Sequence, residues 1–217
     1  MKPVSEVKLM DCMDYMRGFP DKFFELAVVD PPYGIDVNMN IGRRKGDKRK
    51  HTIKGWDNQS PDAEYFEQLR RVSKDQIIWG GNHFFLSASR GWIYWDKMIS
   101  GDVDFSDGEL AWTSFDRNLK AISLRVQNGS LDRIHPTQKP IALYEWLLKN
   151  YAKPGDKILD THLGSQSSRI AAYKLGFDFY GTEIDADYFS EGCARFEKSI
   201  AMPLFDAIEK PVQIKMF

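Results

Sequence analysis

Cysteine is scarce in this chain, and its two thiols, Cys12 and Cys193, stand far apart in the sequence. Two cysteines without a C-x-x-C spacing exclude a disulfide framework and a structural zinc site. Long apolar runs are missing as well, since stretches such as residues 26–29 are far too short to cross a membrane. Residues 1–3 lead into mixed polar sequence without a secretory signal, so we expect a cytoplasmic protein with no membrane partner.

Net charge is also nearly missing, because 30 Lys and Arg are balanced by 31 Asp and Glu. Such a chain is not a general polyanion binder. One stretch departs from the balance, since residues 43–54 carry seven basic side chains and one acid. This segment is either a solvated surface loop or a set of phosphate contacts for a nucleic acid. Its basic members are Arg43, Arg44, Lys45, Lys48, Arg49, Lys50 and Lys54.

The 217 residues, 42% of them hydrophobic, suit a single domain with a substantial core. Amphipathic patterns predict one helix with Ser60 as its N-cap, and further helices over 141–151, 167–175 and 187–200. The order of elements from 157 to 200 is typical of an α/β fold with a parallel sheet. Short apolar runs predict strands near residues 7–10, 26–29, 76–79, 92–95, 110–112, 121–124, 157–160 and 177–182.

Acidic residues stand at the ends of three predicted strands: Asp30, Asp160 and Glu183. Ligands of open parallel sheets bind at the carboxyl ends of the strands. Glu183 follows Asp160 by 23 residues, a spacing that lets a carboxylate accept hydrogen bonds from both hydroxyls of a ribose. The loop after Asp160 has Gly164 but no G-x-G-x-x-G, so the pattern predicts a nucleoside cofactor without phosphates.

The segment Asp30-Pro31-Pro32-Tyr33 directly follows the apolar run 26–29, which predicts a central strand buried on both faces. The prolines stop the strand and leave their carbonyls free of competing donors. The Asp30 carboxylate and the Pro31 carbonyl could then accept both hydrogens of an exocyclic amine, while Tyr33 offers an aromatic face to a planar base. The plain structural alternative is a strand terminator followed by a surface tyrosine.

These motifs together resemble the amino-group DNA methyltransferases that use S-adenosylmethionine. Residues 30–33 match their catalytic D-P-P-Y, and residues 160–165 look like their cofactor loop D-P-F-x-G-S. Residues 135–140 match the H-P-T-Q-K-P of one permuted subgroup, and the motif order is that of the β subgroup. Residues 10–12 resemble the G-D-C-L segment, residues 181–183 the ribose-binding segment, and residues 78–82, 95–97 and 109–112 small phage-type members.

The resemblance implies a Rossmann-like sheet and methyl transfer from S-adenosylmethionine to N6 of a flipped adenine in DNA, without a metal. It implies a catalytic role for Asp30, Pro31, Pro32 and Tyr33. The position of the basic segment, directly after this tetrapeptide, favours phosphate contacts. The implied cofactor-binding residues are Asp11, Cys12, His135, Lys139, Pro140, Asp160, Thr161, His162, Leu163, Gly164, Ser165 and Glu183.

The cofactor loop departs from the family pattern at three positions. Thr161 and His162 replace a Pro and a Phe, and Gln166 replaces the second glycine. We expect Gln166 to place a long side chain near the methionine end of the cofactor. Cofactor affinity should still be ordinary, because Gly164, where close approach is needed, is kept.

Three other functions stay open. Cytosine N4 methylation is chemically parallel, although an initial Asp is linked more to adenine. A catalytically silent DNA-binding member of the fold is the second alternative, and methylation of RNA or of a protein glutamine is the third. Cytosine C5 chemistry is disfavoured, because neither cysteine stands in a Pro-Cys context.

We predict one methyltransferase domain over residues 1–205, with a basic mobile loop at 34–60, a short target-recognition insert at 113–134, and a tail at 206–217. A homodimer is one possible assembly. Trp79, Trp92, Trp95 and Trp112 are interpreted as core residues. The last five residues resemble the Q-L-x-L-F peptide that binds the bacterial sliding clamp, with Gln213, Ile214, Met216 and Phe217 as the matching positions.

Overall fold

The computed structural model describes residues 2–35, 59–99, 106–125 and 133–201. The strands are β1 (Ser5–Leu9), β2 (Phe24–Val29), β3 (Ser73–Trp79), β4 (Ile93–Asp96), β5 (Gly108–Thr113), β6 (Lys120–Ser123), β7 (Lys157–Asp160) and β8 (Asp178–Glu183). The helices are α1 (Cys12–Arg17), α2 (Ala63–Val72), α3 (Ile141–Tyr151), α4 (Ser167–Leu175) and α5 (Ala186–Ala201). No helix in these ranges is long and apolar enough to span a bilayer.

The strands form one sheet in the order β1-β8-β7-β2-β3-β5-β4-β6. The first five of these strands run parallel, whereas β5 pairs antiparallel with both β3 and β4. β2 lies between β7 and β3, which confirms that the apolar run 26–29 is a central parallel strand. β6 pairs with β4 and lies within the segment 113–134 that we predict to be the target-recognition insert.

Alternate residues of β2 point to two separate cores, as expected for a strand covered on both faces. Leu26 and Val28 pack in the cluster that contains the buried faces of α3 and α4. Ala27 and Val29 pack in the cluster that contains α1 and α2. This arrangement confirms the α/β class with helices on both faces.

The order in which strands are added to the sheet changes direction between β2 and β7, which are themselves parallel. The chain continues from β2 to its neighbour β3 on one side, and from β7 to its neighbour β8 on the other. The carboxyl ends of β2 and β7 therefore border a topological switch point, where α/β folds open a crevice for ligands. Asp30 and Asp160 stand at these two strand ends.

One predicted helix start was wrong, and one short helix was missed. α2 begins with Asp62 as N-cap, whose carboxylate accepts a 3.0 Å hydrogen bond from the Tyr65 amide, so the expectation of Ser60 was wrong by two residues. The short helix α1 was not predicted, and its N-cap is Asp11, which accepts from the amides of Met13 and Asp14.

The core role of the tryptophans is confirmed by burial of Trp79, Trp95 and Trp112 and by packing of Trp92 against the core.

Candidate active site

A cavity of about 250 Å³ opens at the carboxyl ends of β2 and β7. Six separate segments of the chain contribute to its wall, represented by Asp11, Asp30, Glu109, Lys139, Gly164 and Glu183. Thus the predicted catalytic tetrapeptide and the predicted cofactor loop line one and the same cavity. Of the predicted residues, those lining it are Asp11, Cys12, Asp30, Pro31, Pro32, Tyr33, His135, Lys139, Thr161, His162, Leu163, Gly164, Ser165 and Glu183.

The Asp30 side chain is 19% exposed and is held by two donors. Its Oδ1 accepts a 2.8 Å hydrogen bond from the Tyr33 hydroxyl, and its Oδ2 accepts a 2.6 Å bond from the Lys139 ammonium. Burial raises the pKa of Asp30, and the positive charge of Lys139 opposes that rise. The carboxylate therefore depends on Lys139 to remain ionised and able to accept hydrogen bonds.

Lys139 does not face solvent, as its side chain is only 3% exposed. Besides Asp30, its Nζ lies 3.0 Å from Oε2 of Glu109, whose other oxygen lies 2.7 Å from Nζ of Lys97. We call Asp30, Lys139, Glu109 and Lys97 the charge cluster. Its two carboxylates and two ammonium groups sum to zero charge, and their mutual attraction offsets part of the cost of burying them.

Sequence reasoning assigned no role to Glu109 or Lys97. Glu109 lies on β5 opposite Trp95 of β4, and it approaches Asp30 only because β5 pairs with β3, the neighbour of β2. No spacing in the sequence signals an antiparallel pairing between such distant segments. The segments 95–97 and 109–112 carried only a resemblance to small family members.

The Tyr33 ring is fixed by close packing. It stacks on His83 with ring centroids 4.9 Å apart and an interplanar angle of 10°, and its edge meets Phe84. Gly80, in the left-handed region at φ 66°, packs so tightly that a Cβ there would fall 2.2 Å from Tyr33 Cε1. Because His83 already covers one face, at most the other face of Tyr33 is left for a base.

Asp160 does not line the cavity, although it was predicted to bind the cofactor. Its Oδ1 accepts a 3.0 Å hydrogen bond from the His162 amide, and its Oδ2 accepts a 2.5 Å bond from the Ser168 hydroxyl. Burial raises the pKa of Asp160 to about 7. Its side chain thus ties the loop after β7 to the first turn of α4. Pro140 likewise does not line the cavity and precedes α3 as its N-cap.

Glu183 reaches back to the loop after β7. Its Oε2 accepts a 2.8 Å hydrogen bond from the Gly164 amide, while its Oε1 accepts from the amides of Ile184 and Asp185 at 2.9 Å. Burial raises the pKa of Glu183, whereas these three amide donors lower it. The bonds orient the carboxylate at the end of β8, as a ribose ligand would require.

The two substituted loop residues form a small polar network. The Thr161 hydroxyl lies 2.7 Å from the Tyr65 hydroxyl of α2 and 3.0 Å from Nδ1 of His162. Burial lowers the pKa of His162 to about 4, so its ring is neutral at pH 7. The hydroxyl and the ring that replace Pro and Phe are therefore satisfied within the loop and α2.

The prediction for Gln166 was wrong, because its side chain points away from the cavity. Gln166 is fully buried between α4 and α5, where its Oε1 accepts from Arg169 at 2.8 Å and its Nε2 donates to the Phe189 carbonyl at 3.4 Å. Its backbone adopts the left-handed conformation, at φ 56°. The side chain therefore supports the loop from behind and does not line the cavity.

Three further predicted cofactor-binding residues, Asp11, Cys12 and His135, line the cavity, and each makes different contacts. The Asp11 carboxylate is engaged in capping α1. Burial raises the pKa of the Cys12 thiol to about 12, so it stays protonated and is not a nucleophile. The His135 ring packs edge-on against Tyr188, with centroids 4.4 Å apart.

Two predicted binding segments lie outside the described residues. The first is the basic segment with Arg43, Arg44, Lys45, Lys48, Arg49, Lys50 and Lys54, and the second is the tail with Gln213, Ile214, Met216 and Phe217.

Comparison with known proteins supports the resemblance. An N6/N4 methyltransferase family model, described as DNA methylase, matches residues 92–193. The type II methyltransferase M1.MboII of Moraxella bovis is 24% identical over 265 residues, which cover 88% of this chain and 96% of that protein.

Two solved structures share the fold. The M1.HpyAVI–SAM complex matches with a TM-score of 0.57 at 18% identity, over 88% of this chain and 98% of that one. The cytosine-N4-specific PvuII DNA methyltransferase matches with a TM-score of 0.60 at 12% identity, over 91% of both chains. These likenesses confirm the Rossmann-like α/β fold. By its family-model match, its curated relative and the D-P-P-Y motif at the site, the chain is similar to the amino-group DNA methyltransferases of the N6/N4 type.

Proposed function

We propose that this protein transfers the methyl group of S-adenosylmethionine to an exocyclic amine of a DNA base, with adenine N6 as the acceptor. One observation carries the proposal: the D-P-P-Y segment lines the same cavity as Gly164 and Glu183. An amine held at Asp30 and a nucleoside cofactor held at Glu183 would then lie in the same cavity, with no protein atoms separating them. The adenine preference rests on the resemblance, in which an initial Asp is linked to adenine.

The residues around the cavity fit a nucleoside cofactor. Glu183 presents a carboxylate oriented by the Gly164 amide, and Gly164 has no side chain to obstruct a ligand. Among the described residues that line the cavity, Lys139 is the one Lys or Arg. Because its charge is already paired with Asp30 and Glu109, the wall favours a cofactor without phosphates. Bound S-adenosylmethionine would supply an electrophilic methyl group on a sulfonium.

The role of Asp30 follows from the weak nucleophilicity of adenine N6, whose lone pair is delocalised into the ring. An ionised Asp30 and the Pro31 carbonyl would accept the two amine hydrogens and favour a pyramidal nitrogen. The nitrogen lone pair would then point at the methyl group. Catalysis of this kind depends on positioning and on preorganised acceptors. A base in a duplex must first leave the stack to reach such a pocket.

Cytosine N4 methylation is the second candidate, since one structure with the same fold is a cytosine-N4-specific enzyme. The amine chemistry is the same in both cases. The products differ, because a nucleoside digest contains either N6-methyladenosine or N4-methylcytidine in its deoxy form. Mass spectrometry of that digest distinguishes the two candidates.

The decisive experiment incubates the purified chain with duplex DNA and methyl-labelled S-adenosylmethionine. We expect label on adenine, and we expect Asp30→Ala to abolish transfer while cofactor affinity stays within a few-fold. Asp116→Ala is the matched control, because that carboxylate is exposed and lies 3.4 Å from Arg90, in an ion pair away from the cavity. Absence of label from every base, or activity retained by Asp30→Ala, would contradict the proposal.

The tail supplies a separate proposal, that residues 213–217 bind the bacterial sliding clamp. The support is the pentapeptide pattern at residues 213–217, after Lys210-Pro211. Binding of purified clamp to the chain with and without its last five residues tests this. Equal binding by both chains would refute the proposal.

A further inference from the structure

The charge cluster is the one group of described residues at the cavity in which two ammonium groups alternate with two carboxylates. Its order runs from Asp30 through Lys139 and Glu109 to Lys97, with successive N–O distances of 2.6, 3.0 and 2.7 Å. Both ammonium groups are nearly buried, with Lys139 3% and Lys97 9% exposed. Charges buried this deeply persist only when partners on several sides hold them.

Lys139 is held from three directions. Asp30 and Glu109 bind its ammonium, and Trp79 lies beneath it with 5.2 Å between Nζ and the ring centroid. If the Lys139 ammonium turned toward a cofactor carboxylate, its 2.6 Å bond to Asp30 would break. The Asp30 carboxylate would then have no counter-charge. These contacts disfavour the role in cofactor binding that the resemblance implies for Lys139.

We propose that Lys139 is a positioning residue for Asp30, and that Glu109 and Lys97 hold it in place. This inference rests on the proposed function, in which Asp30 accepts one hydrogen of the target amine. Lys139 would keep Asp30 ionised and would fix the rotation of its carboxylate toward the cavity. The second donor, the Tyr33 hydroxyl at 2.8 Å, would fix the other oxygen.

Ionisation matters because a protonated carboxyl group presents a donor and is a weaker acceptor for the amine hydrogen that Asp30 would hold beside the Pro31 carbonyl. The groups that face Asp30 are Tyr33 of its own loop, Lys139 before α3, Glu109 of β5, Tyr144 of α3, Tyr65 of α2 and Asp160 of β7. Among them Lys139 is the only cation, while Glu109 and Asp160 are acids. Its removal should therefore leave the Asp30 proton much harder to lose.

The test variant is Lys139→Met, which keeps an unbranched side chain and removes the charge. The Asp30 carboxyl is titrated by carbon-13 NMR in wild type and variant, which requires no activity. We expect its pKa to rise by about 1–3 units, the usual effect of an opposite charge at this distance. The acid limb of the methyl-transfer pH profile should move up equally, with a fall in kcat at pH 7 and little change in KM for the cofactor.

Cofactor binding separates the two roles of Lys139. S-adenosylhomocysteine carries the amino-acid carboxylate and 5′-methylthioadenosine lacks it. We expect Lys139→Met to bind both as wild type does. The double variant Glu109→Gln/Lys139→Met, which removes one charge of each sign, is used if the single variant does not fold. Lys8→Met is the matched control, because it breaks an exposed 3.1 Å pair with Glu6.

Two results would overturn the proposal: an unchanged Asp30 titration, or a loss of about tenfold or more in S-adenosylhomocysteine affinity that spares methylthioadenosine. Failure of the proposed function has a different signature. In that case wild type transfers no methyl group, while the titration and the two binding measurements still report on Lys139.

Discussion

Replacing Gly80 with Ala should displace the Tyr33 ring and slow methyl transfer without weakening cofactor binding. Gly80 directly follows β3 in the left-handed conformation, with φ 66° and ψ 21°, and its amide donates to the Leu110 carbonyl at 2.9 Å. A Cβ would fall 2.2 Å from Cε1 of Tyr33. Because the glycine is bound to β5 through its backbone, the ring is the part that must move.

The size of the effect follows from two separate costs. A non-glycine residue in the left-handed region costs about 1–2 kcal/mol of stability. Carbon atoms in contact lie about 3.5–4.0 Å apart, so relief of a 2.2 Å approach needs a ring shift of roughly 1.3 Å or more. A shift of that size breaks the 2.8 Å bond to Asp30, and misplacement of about 1 Å near a reacting centre costs on the order of 100-fold in rate.

The assay compares Gly80→Ala with Gly176→Ala, which introduces the same strain without the clash. Gly176 has φ 79° and ψ 22°, and a Cβ there meets nothing within 4 Å. Urea unfolding should show a similar destabilisation from the backbone in both variants. Only Gly80→Ala should lose about 100-fold in kcat, with S-adenosylmethionine affinity unchanged. Equal kcat in the two variants would refute the argument that Gly80 positions Tyr33.

Three other predictions follow from the site. Asp160 has a folded pKa of about 7 against an ordinary 3.8, so the folded state holds an extra proton between these pH values and the free energy of unfolding should fall as pH rises through this interval. Asp160→Asn should remove that decline in urea unfolding measured from pH 4 to 8, and an unaltered slope would contradict it. Gln166→Ala should lose about 1–3 kcal/mol of stability through its buried hydrogen bonds, yet calorimetry should find unchanged S-adenosylmethionine affinity; a large loss of affinity would contradict the placement of this side chain. Replacing Lys48, Arg49 and Lys50 with Gln should weaken DNA binding for all sequences and lower the slope of log K against log salt by about 0.9 per lost contact, whereas an unchanged slope would mean that the segment does not contact phosphates.

Local patterns in the sequence were sufficient for the elements and for part of the site. The apolar run 26–29, stopped by two prolines, indicated a buried strand with Asp30 at its carboxyl end, and the structure confirms it. The run ending at Asp160 and the strand ending at Glu183 follow from the same reasoning, because a βαβ unit returns its strands in parallel. Strand polarity alone then brings these acids to one edge of the sheet.

Only the tertiary structure decided what each polar side chain does at that edge. Asp11 caps α1, Asp160 ties its loop to α4, and Gln166 turns into the interface of α4 and α5, although all three lie near the cofactor motifs in sequence. These roles depend on side-chain directions and on partners from other elements, which a local pattern does not contain.

The charge cluster shows the same limit most clearly. Lys139 and Asp30 are 109 residues apart, and Glu109 reaches them only through the antiparallel pairing of β5 with β3. The sequence by itself determined which residue types stand at the strand ends, because polarity and apolar periodicity are local properties. Only the folded sheet decided that a lysine expected at the cofactor lies against Asp30, because buried charges are placed by the nearest opposite charges in space.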